Sequence, residues 1–472
     1  MQTGKGGRLG DVLVLGMGKT GVDVALYLAS LGEARVSSVT LYGGLSSAPG
    51  EAASRLEAAG VRVVLGSEDV RGSYDLAVVS PGISELSGFF RAAREHSREL
   101  IGEPELAWRE SPGRWVAITG TNGKTTTTSL SCAILREAGL AARTVGNIGT
   151  LATSQVAGRA DGEWFVAELS SFQLATSVGL HPRVAVLLNV TPDHLEWHGS
   201  LEAYAAAKER VFANLVPGDL AVVGVGDGWC RAIADRLDAR GLRVLRLDAR
   251  RDAGTPCAAF VRDGRMVVRL DGVEHDVCAT ADFALRGEHN LQNGLAASAL
   301  ALELGVADDV VARTLASFQA LEHRIEPCGE VGGVSFVNDS KATNTDSVEK
   351  ALTAFEPGRV VLMLGGHDKG TDLRSLAEAV ARDCRAAVCF GEAGERIARS
   401  VEAARDRQAS PVRVVRAPHL REAFDAAVAE AREGDAVLLS PACSSFDEFS
   451  NMAERGRLFK SLVAALADEG RR

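Results

Sequence analysis

Long apolar runs are missing from this chain of 472 residues. No stretch approaches the roughly 18 consecutive apolar residues that a membrane-spanning helix needs. The first residues, MQTGKGGRLGDVLVLG, contain no apolar segment of secretory length. The eight cysteines are scattered and include no CxxC pair, so we expect buried, reduced thiols. These absences predict a cytoplasmic protein that is not inserted in a membrane.

An excess of basic residues is also missing. Lys and Arg number 52 against 62 Asp and Glu, which gives a formal net charge of -10. This balance argues against nucleic acid as the main partner, because a phosphate backbone requires a basic face. Anionic small molecules remain possible, since a few local cations and helix N-termini can hold them on an acidic protein. The length predicts two to four domains.

Short β-branched runs alternate with helical patterns along the chain, which predicts an α/β fold with largely parallel sheets. Three units follow one another, and we assign them to residues 1–102, 103–320 and 321–472. A turn-rich, alternating segment at 251–280 predicts a small antiparallel addition to the middle unit. The predicted strands lie at residues 12–16, 39–42, 61–66, 75–80, 115–120, 163–171, 184–190, 359–364, 386–390, 412–415 and 436–440.

The stretch GMGKTG (16–21) matches a GxGxxG turn between a strand and a helix. A dinucleotide site would also need an acidic residue about 20 positions later, at the end of the next strand, to hold a ribose. That strand ends in Leu41-Tyr42-Gly43-Gly44 and offers no acid. An NAD enzyme is therefore disfavoured, and two alternatives stay open: a tight turn without a ligand, or a helix N-terminus that approaches another pyrophosphate.

The loop GTNGKTT (120–126) is a stronger indication of a nucleotide site. The usual P-loop places its first glycine where this chain has Ile118. Gly120 and Gly123 nevertheless allow the backbone N–H groups to face phosphate oxygens. Lys124 can reach the β and γ phosphates, and the hydroxyl of Thr125 or Thr126 can bind Mg²⁺. An apolar strand before the loop and a helical pattern after it support this interpretation.

Polar residues follow other predicted parallel strands, at the edge where open α/β sheets bind their ligands. Glu168 ends one such strand, and Asp193 and His194 follow another. In the third unit three polar loops close strands, namely NDSKATN (338–344), GGHDKGTD (365–372) and SPACSSFDEF (440–449). Each could be an ordinary surface loop, but together they predict the mouth of a ligand site.

These motifs as a set resemble the Mur ligase family. The resemblance rests on GTNGKTT, ELSSFQL (168–174), NVTPDH (189–194), GEHNLQN (287–293), HRIE (323–326) and NDSKATN, in collinear order. Within that family, NDSKATN with SPACSSFDEF is most similar to the members that add D-glutamate. The resemblance implies a Rossmann-like first domain for the sugar nucleotide, a central P-loop domain for ATP and metal, and a Rossmann-like third domain for the amino acid.

The resemblance further implies an ATP-dependent ligase that joins D-glutamate to UDP-N-acetylmuramoyl-L-alanine, through an acyl phosphate and a tetrahedral intermediate. Its cofactors would be ATP and two Mg²⁺ ions, its partners would be small molecules alone, and it would act as a monomer. The implied catalytic and metal residues are Lys124, Thr125, Glu168, His194 and Lys208, with Lys208 carbamylated. The other implied ATP contacts are Gly120, Thr121, Asn122, Gly123, Thr126, Asn290, Asn293, Arg324, Asp339 and Lys341. The implied contacts to the sugar nucleotide and the amino acid are Gly18, Lys19, Thr20, Ser80, Gly82, Asn147, His194, Thr343, Lys369 and Ser445.

Two positions depart from the family pattern. An acidic residue that follows the second strand and binds uracil is replaced by the Leu41–Gly44 stretch, and an aromatic residue beside the glutamate is replaced by Met452. These departures leave open a sibling ligase that takes L-glutamate or another acidic amino acid. A nucleotide-binding switch without ligase activity is the alternative from another class, although such a protein would not need an amino-acid pocket.

Overall fold

The apolar runs of the first segment form a parallel sheet covered by helices, as buried β-branched strands require. This computed structural model describes residues 7–319, 321–368 and 370–469. The elements of the first segment are β1 (Gly10–Leu15), α1 (Lys19–Ser30), β2 (Val36–Tyr42), α2 (Glu51–Ala58), β3 (Arg62–Val64), β4 (Leu76–Val79), α3 (Gly88–Glu95) and β5 (Leu100–Gly102). The strands take the order β3-β2-β1-β4-β5, and every neighbouring pair is parallel.

A short helix, α4 (Glu103–Glu110), leads from the first sheet to the second. The buried carboxylate of Glu105 accepts hydrogen bonds from the backbone N–H groups of residues 178–180 at 2.9–3.1 Å. Nε of Arg109 donates a further bond to Glu105 at 2.9 Å. Because a buried charge requires such partners, Glu105 fastens the connecting helix to the second sheet.

The second sheet combines parallel strands with an antiparallel edge. Its elements are β6 (Trp115–Thr119), α5 (Lys124–Glu137), β7 (Ala142–Gly146), α6 (Ala152–Val156), β8 (Trp164–Glu168), α7 (Ser171–Ala175), β9 (Val184–Leu187), α8 (Leu195–His198), α9 (Leu201–Glu209), β10 (Leu220–Gly224), α10 (Gly228–Ala239), β11 (Arg243–Leu247), β12 (Ala258–Arg262), β13 (Arg265–Leu270), β14 (Val273–Ala279), α11 (Glu288–Glu303) and α12 (Asp308–Ser317). The strand order is β14-β13-β12-β11-β10-β9-β6-β8-β7. β13 and β14 pair antiparallel, which confirms the predicted antiparallel addition.

The third sheet belongs to the C-terminal part of the chain. Its elements are β15 (Glu326–Val331), β16 (Val334–Asn338), α13 (Thr345–Leu352), β17 (Val360–Gly365), α14 (Arg374–Asp383), β18 (Cys384–Phe390), α15 (Gly394–Gln408), β19 (Arg413–Arg416), α16 (Leu420–Glu430), β20 (Ala436–Ala442) and α17 (Met452–Glu469). The order is β15-β16-β20-β17-β18-β19, and β15 alone pairs antiparallel within the described residues. β17 and β20 are buried throughout, as expected of central strands.

The chain divides into two compact units, and the predicted α/β fold class is confirmed in both. Unit 1 contains residues up to 282 and 292–316, with the first two sheets; unit 2 contains residues 283–291 and those from 317 onward, with the third sheet. The boundaries that we assigned at residues 102 and 320 stay predictions, and Ala320 lies outside the described residues. Seven of the eight cysteines are buried, as predicted, and none of the eight takes part in a disulfide in the described residues.

Candidate functional site

The loop between β6 and α5 has the backbone shape that a phosphate site requires. Gly123 adopts a left-handed conformation with φ 86° at the start of α5. A Cβ atom on Gly123 would lie 2.3 Å from Oδ1 of Asn293, so glycine alone fits there. The glycine also offers no side chain to cap the helix. The first N–H groups of α5 can therefore meet an anion.

This loop is held to the strand end at Asn189–Thr191. The amide of Asn189 exchanges two hydrogen bonds with the backbone of Asn122, at 2.9 and 3.1 Å. The hydroxyl of Thr121 accepts from the N–H of Thr191 at 3.0 Å. Asn189 was not among the predicted site residues. Its contribution is to fix the loop before any nucleotide arrives, which lowers the ordering cost of binding.

Two predicted lysines converge on one backbone oxygen of the loop. Nζ of Lys124 donates to the carbonyl oxygen of Gly120 at 2.9 Å, and Nζ of Lys208 donates to the same oxygen at 2.7 Å. Lys208 is 1% exposed and lies over the ring of Tyr204, with Nζ 4.5 Å from the ring centroid. Burial, together with the charge of nearby Lys124, holds the pKa of Lys208 well below its usual value. This lowered pKa increases the fraction of neutral amine at Lys208.

Glu168 supplies the carboxylate of the site. It ends β8 and pairs in register with Ile118 of β6, two residues before Gly120. Nδ2 of Asn147 donates to Oε1 of Glu168 at 2.8 Å, which brings these two predicted residues together. Oε2 of Glu168 is buried and has no hydrogen-bond partner among the residues that the structure describes. A buried carboxylate oxygen without a donor fits a bound cation.

The residues present suit Mg²⁺ in particular. Mg²⁺ keeps several waters and takes only one or two carboxylates together with substrate phosphates. In the described parts of the chain, no three His, Cys, Asp or Glu side chains form a group that could hold a metal ion by themselves. Glu168 and the buried hydroxyl of Thr125, at the start of α5, are the kind of sparse donor set that Mg²⁺ accepts.

His194 lies at the start of α8 in a left-handed conformation, with φ 53°. Its ring packs edge-on against Phe172, with 4.8 Å between the centroids. Phe172 stacks on Trp197 and His198, and His198 contacts Tyr204. Burial lowers the pKa of His198 to about 4, so it is a neutral partner of the Ser171 hydroxyl at 2.9 Å. This aromatic cluster, which the sequence did not reveal, connects His194 to the helix that carries Lys208.

The GMGKTG turn of the first sheet is tight. A Cβ atom on Gly21 would lie 1.9 Å from the carbonyl oxygen of Gly16, which requires glycine at that position. Gly18 caps α1 and faces open space, as does Gly82. The hydroxyl of Ser80 is buried without a partner among the described residues. Lys19 is 71% exposed and pairs with Asp23 at 3.0 Å, and Thr20 lies in the first turn of α1.

An acidic residue missed by sequence reasoning lies beside the end of β2. A Cβ atom on Gly44 would be 3.7 Å from Oε1 of Glu68, which follows β3. Tyr42 is buried, and its hydroxyl accepts a hydrogen bond from the N–H of Arg71 at 3.1 Å. Tyr42 therefore packs in the core of the first sheet. An acidic side chain is thus present near the end of β2, on the loop that follows the neighbouring strand.

In unit 2 the predicted residue Arg324 lies between two strained neighbours. His323 and Ile325 have φ angles of 65° and 43°, in the left-handed region that non-glycine residues rarely adopt. Oδ1 of Asp339 accepts from the N–H of Ile325 at 3.2 Å, and the N–H of Lys341 donates to the carbonyl oxygen of His323. Such strain persists only where surrounding contacts fix the backbone.

Asp339 makes more hydrogen bonds within unit 2 than a contact with ribose would require. Its Oδ2 accepts a hydrogen bond from the hydroxyl of Ser440 at 2.7 Å, so both carboxylate oxygens have partners within unit 2. Burial raises the pKa of this carboxyl group to about 7. Its predicted contact with ribose stays a prediction, and the structure adds the role of holding the Arg324 loop.

The remaining predicted residues are divided between the units. Asn293 is in unit 1, where its Oδ1 accepts a hydrogen bond from the hydroxyl of Thr127 at 3.4 Å. Asn290 is in unit 2, where its Nδ2 donates to the carbonyl oxygen of Arg286 at 2.7 Å. Thr343 follows β16 and Ser445 follows β20 as a buried residue. Lys369 lies outside the described residues.

No helix in the described residues is both long and apolar enough to cross a membrane.

Comparison with known proteins gives concordant results. The sequence profile of the "Mur ligase middle domain" matches residues 118–301, and that of the "Mur ligase, glutamate ligase domain" matches residues 323–443. The chain is 40% identical over 459 residues to a UDP-N-acetylmuramoylalanine–D-glutamate ligase of Acidobacterium capsulatum, covering 96% of both chains. An enzyme with the same name from Pelotomaculum thermopropionicum is also 40% identical, with 96% of this chain and 97% of that one covered. Among solved structures, the UDP-N-acetylmuramate-alanine ligase MurC of Thermotoga maritima shares the fold, with a TM-score of 0.57, 20% identity, and coverage of 96% and 99%.

Proposed function

Since the chain belongs to the Mur ligase family, we propose that it is the ATP-dependent ligase that joins D-glutamate to UDP-N-acetylmuramoyl-L-alanine. The relatives that share 40% of its sequence over nearly its whole length carry that activity in their names. One structural observation supports the ATP-dependent chemistry most directly. The amines of Lys124 and Lys208 converge on the carbonyl oxygen of Gly120. Gly120 directly follows β6, which pairs with the strand that ends in the buried carboxylate of Glu168.

The reaction explains why these groups are needed. An amine cannot displace oxide from a carboxylate at neutral pH, so the alanyl carboxylate must first receive the γ-phosphoryl group of ATP. That transfer brings several anionic oxygens together, and positioning with charge neutralisation is the main catalytic need. The N–H groups at the start of α5 and the ammonium of Lys124 supply both. ADP leaves in this transfer. The unprotonated amine of D-glutamate then attacks the acyl phosphate, and the tetrahedral intermediate loses a proton from nitrogen and expels phosphate to give the amide.

Mg²⁺, when bound, neutralises and orients phosphate oxygens. Thr125 and Glu168 would hold one ion, and His194 with Lys208 would serve a second. For Lys208 to be a ligand of a hard cation it needs an anionic oxygen. We propose that its neutral amine adds to carbon dioxide and loses a proton, which converts it to a carbamate. The lowered pKa of Lys208 supports this modification, because only the unprotonated amine is a nucleophile.

The sugar nucleotide and the amino acid are assigned to other loops. We assign the sugar nucleotide to the tight turn of the first sheet, at Gly18, Thr20, Ser80 and Gly82. The open space at the two glycines and the Ser80 hydroxyl, which has no partner among the described residues, suit a pyrophosphate or sugar. The proposed amino-acid contacts lie in unit 2, at Thr343, Ser445 and Lys369. The ATP contacts there are Asn290, Arg324, Asp339 and Lys341. The lack of disulfides among the described cysteines is compatible with a reducing, cytoplasmic setting, where we expect the enzyme to act as a monomer.

The decisive experiment is phosphate release by the purified protein. The mixture contains ATP, Mg²⁺ and UDP-N-acetylmuramoyl-L-alanine, with D-glutamate and L-glutamate in parallel. We expect release with D-glutamate alone. Release with L-glutamate alone would instead assign the chain to the sibling class that Tyr42 and Met452 left open, and no release with either would exclude both ligases.

Lys208→Ala separates a ligase from a nucleotide-binding switch. In a ligase the variant should lose turnover by about 100-fold or more, as expected when a charge-stabilising group is removed. It should still bind ATP, measured by calorimetric titration, because Lys124 and the helix N-terminus remain. Unchanged turnover in the variant would refute the carbamate assignment.

A further inference from the structure

A single arginine joins the three polar loops that close the strands of unit 2. Arg455, in the first turn of α17, is completely buried. Its Nη2 donates to the carbonyl oxygen of Ser340 at 2.9 Å and to that of Cys443 at 3.0 Å. Its Nη1 donates to the carbonyl oxygens of Gly365 and Ser444 at 3.4 and 3.3 Å. One guanidinium thus binds backbone oxygens from all three loops at once.

The hydrogen-bonding capacity of Arg455 is fully used. Nε donates to the hydroxyl of Ser340 at 3.0 Å, so the five N–H groups of the guanidinium match five acceptors. No donor remains for a substrate. Gly366 shows how closely the backbone surrounds this group, since a Cβ atom there would lie 3.0 Å from Nη1 of Arg455. Arg455 can therefore affect a ligand only through the loops it holds or through its charge.

That charge lacks a direct counter-ion. Within the described residues no carboxylate oxygen lies within 4.0 Å of the Arg455 nitrogens, whose acceptors are carbonyl and hydroxyl oxygens. The nearby acids Asp447 and Glu448 accept hydrogen bonds from the backbone of Glu392 and Leu420 instead. The start of a helix also disfavours a cation. Burial lowers the pKa of Arg455 to about 10, which leaves it charged at neutral pH.

A buried cation without a carboxylate beside it creates a positive potential that can attract a ligand of opposite charge. We propose that Arg455 is the positioning residue of the amino-acid site, which fixes its three loops and supplies the positive potential that selects a dianionic amino acid. The proposal rests on the function proposed above, in which D-glutamate brings two carboxylates to Thr343 and Ser445. Those residues lie on two of the loops that Arg455 joins, and Ser445 directly follows a residue whose carbonyl oxygen binds the guanidinium.

The test measures charge selectivity as well as activity. In the full-length enzyme, the inhibition constants of glutarate and its monoamide are measured in competition with D-glutamate. The KM values for D-glutamate and for ATP are measured in the same enzyme. Arg455→Met should raise the KM for D-glutamate by about tenfold or more, with little change in the KM for ATP. It should also reduce the preference for the dianion glutarate over its monoanionic amide. Arg455→Lys, which keeps the charge, should retain that preference.

Arg159, which is half-buried, provides a control in unit 1. Its guanidinium also donates to several backbone carbonyl oxygens, including those of Ser111 and Gly113, and burial likewise lowers its pKa to about 10. Arg159→Met should reduce thermal stability and leave the glutarate preference intact. A general structural role for arginines that bind backbone carbonyl oxygens would give the two methionine variants the same kinetic profile.

Three results would overturn the proposal. The first is an equal rise of both KM values in Arg455→Met with unchanged selectivity; the second is a folded Arg455→Lys variant that has lost the preference. The third is a wild-type enzyme that binds glutarate no better than its monoamide, which decides the question even if the variants do not fold. If the wild-type protein releases no phosphate with D-glutamate, the proposed function fails instead, and calorimetric titration with the two probes alone then tests the charge preference.

Discussion

Replacing Gly123 by alanine tests whether the shape of the 120–123 loop produces the nucleotide site. The left-handed backbone at φ 86° costs a non-glycine residue roughly 1–2 kcal/mol. The added methyl group would also lie 2.3 Å from Oδ1 of Asn293 and 3.1 Å from Cδ1 of Leu188. Contacts that short cannot persist, so Asn293 or the start of α5 must move.

Gly139 supplies the control at the other end of the same helix. It has nearly the same backbone conformation, φ 76°, but a Cβ atom there would meet nothing within 4 Å. Both alanine variants should therefore lose about 1–2 kcal/mol of unfolding free energy from the backbone term alone. Only Gly123→Ala should displace the N–H groups that face phosphate, and displacement by about 1 Å can lower the rate on the order of 100-fold.

The assays are thermal unfolding, calorimetric titration with ATP, and phosphate release under saturating substrates. We expect both variants to lose stability, Gly123→Ala more than Gly139→Ala because of its steric contacts, and a large loss of ATP affinity and turnover in Gly123→Ala alone. Equal ATP affinity in the two variants would refute the reasoning, because it would show that the loop tolerates the methyl group without moving its N–H donors.

Three further predictions concern single side chains. Thr125→Val should weaken the apparent Mg²⁺ affinity in the ligase assay by about tenfold or more, whereas Thr126→Val should not. The reverse result would show that the threonine hydroxyl that binds the metal belongs to Thr126. Because burial raises the pKa of Asp339 to about 7, the folded protein holds a proton that the unfolded chain loses near pH 4. The unfolding free energy should therefore fall as the pH rises from about 4 to about 7, and Asp339→Asn should remove that part of the slope in pH-dependent denaturation. Glu105→Gln should lower the unfolding free energy of unit 1 by about 3 kcal/mol in chemical denaturation. The substitution removes a buried carboxylate that accepts three backbone hydrogen bonds and one from Arg109. A change below about 1 kcal/mol would contradict this role.

Local sequence patterns predicted the fold and the nucleotide loop because both depend on neighbouring residues. An apolar strand, a glycine-containing turn and a helical pattern follow one another within 25 residues around Gly123, so their order on the sheet edge was predictable. Most predicted strands were found near their expected positions for the same reason. The strand β15 was missed, because its residues are largely polar and half-exposed and lack a periodic apolar pattern.

The residues that the sequence did not reveal act across long separations. Arg455 occupies one position of an ordinary amphipathic helix, and its acceptors lie up to 115 residues away in the chain. Asn189 reaches a loop 67 residues earlier. The proximity of Glu68 to the end of β2 was not predictable, because Glu68 lies on the loop after the neighbouring strand β3. Such contacts depend on how the strands are ordered in the sheet, which no local pattern encodes.

The strained loop around Arg324 has a consequence for how this protein can change over generations. His323 and Ile325 remain left-handed because side chains hold their backbone: Asp339 on another segment and the adjacent Glu326 accept backbone bonds at 3.2 and 2.9 Å. A mutation at any of these positions alters the effect of a mutation at the others, since they share one backbone segment. Substitutions there should accumulate as linked sets, and a lineage that exchanges one of them alone should lose fitness until its partners follow.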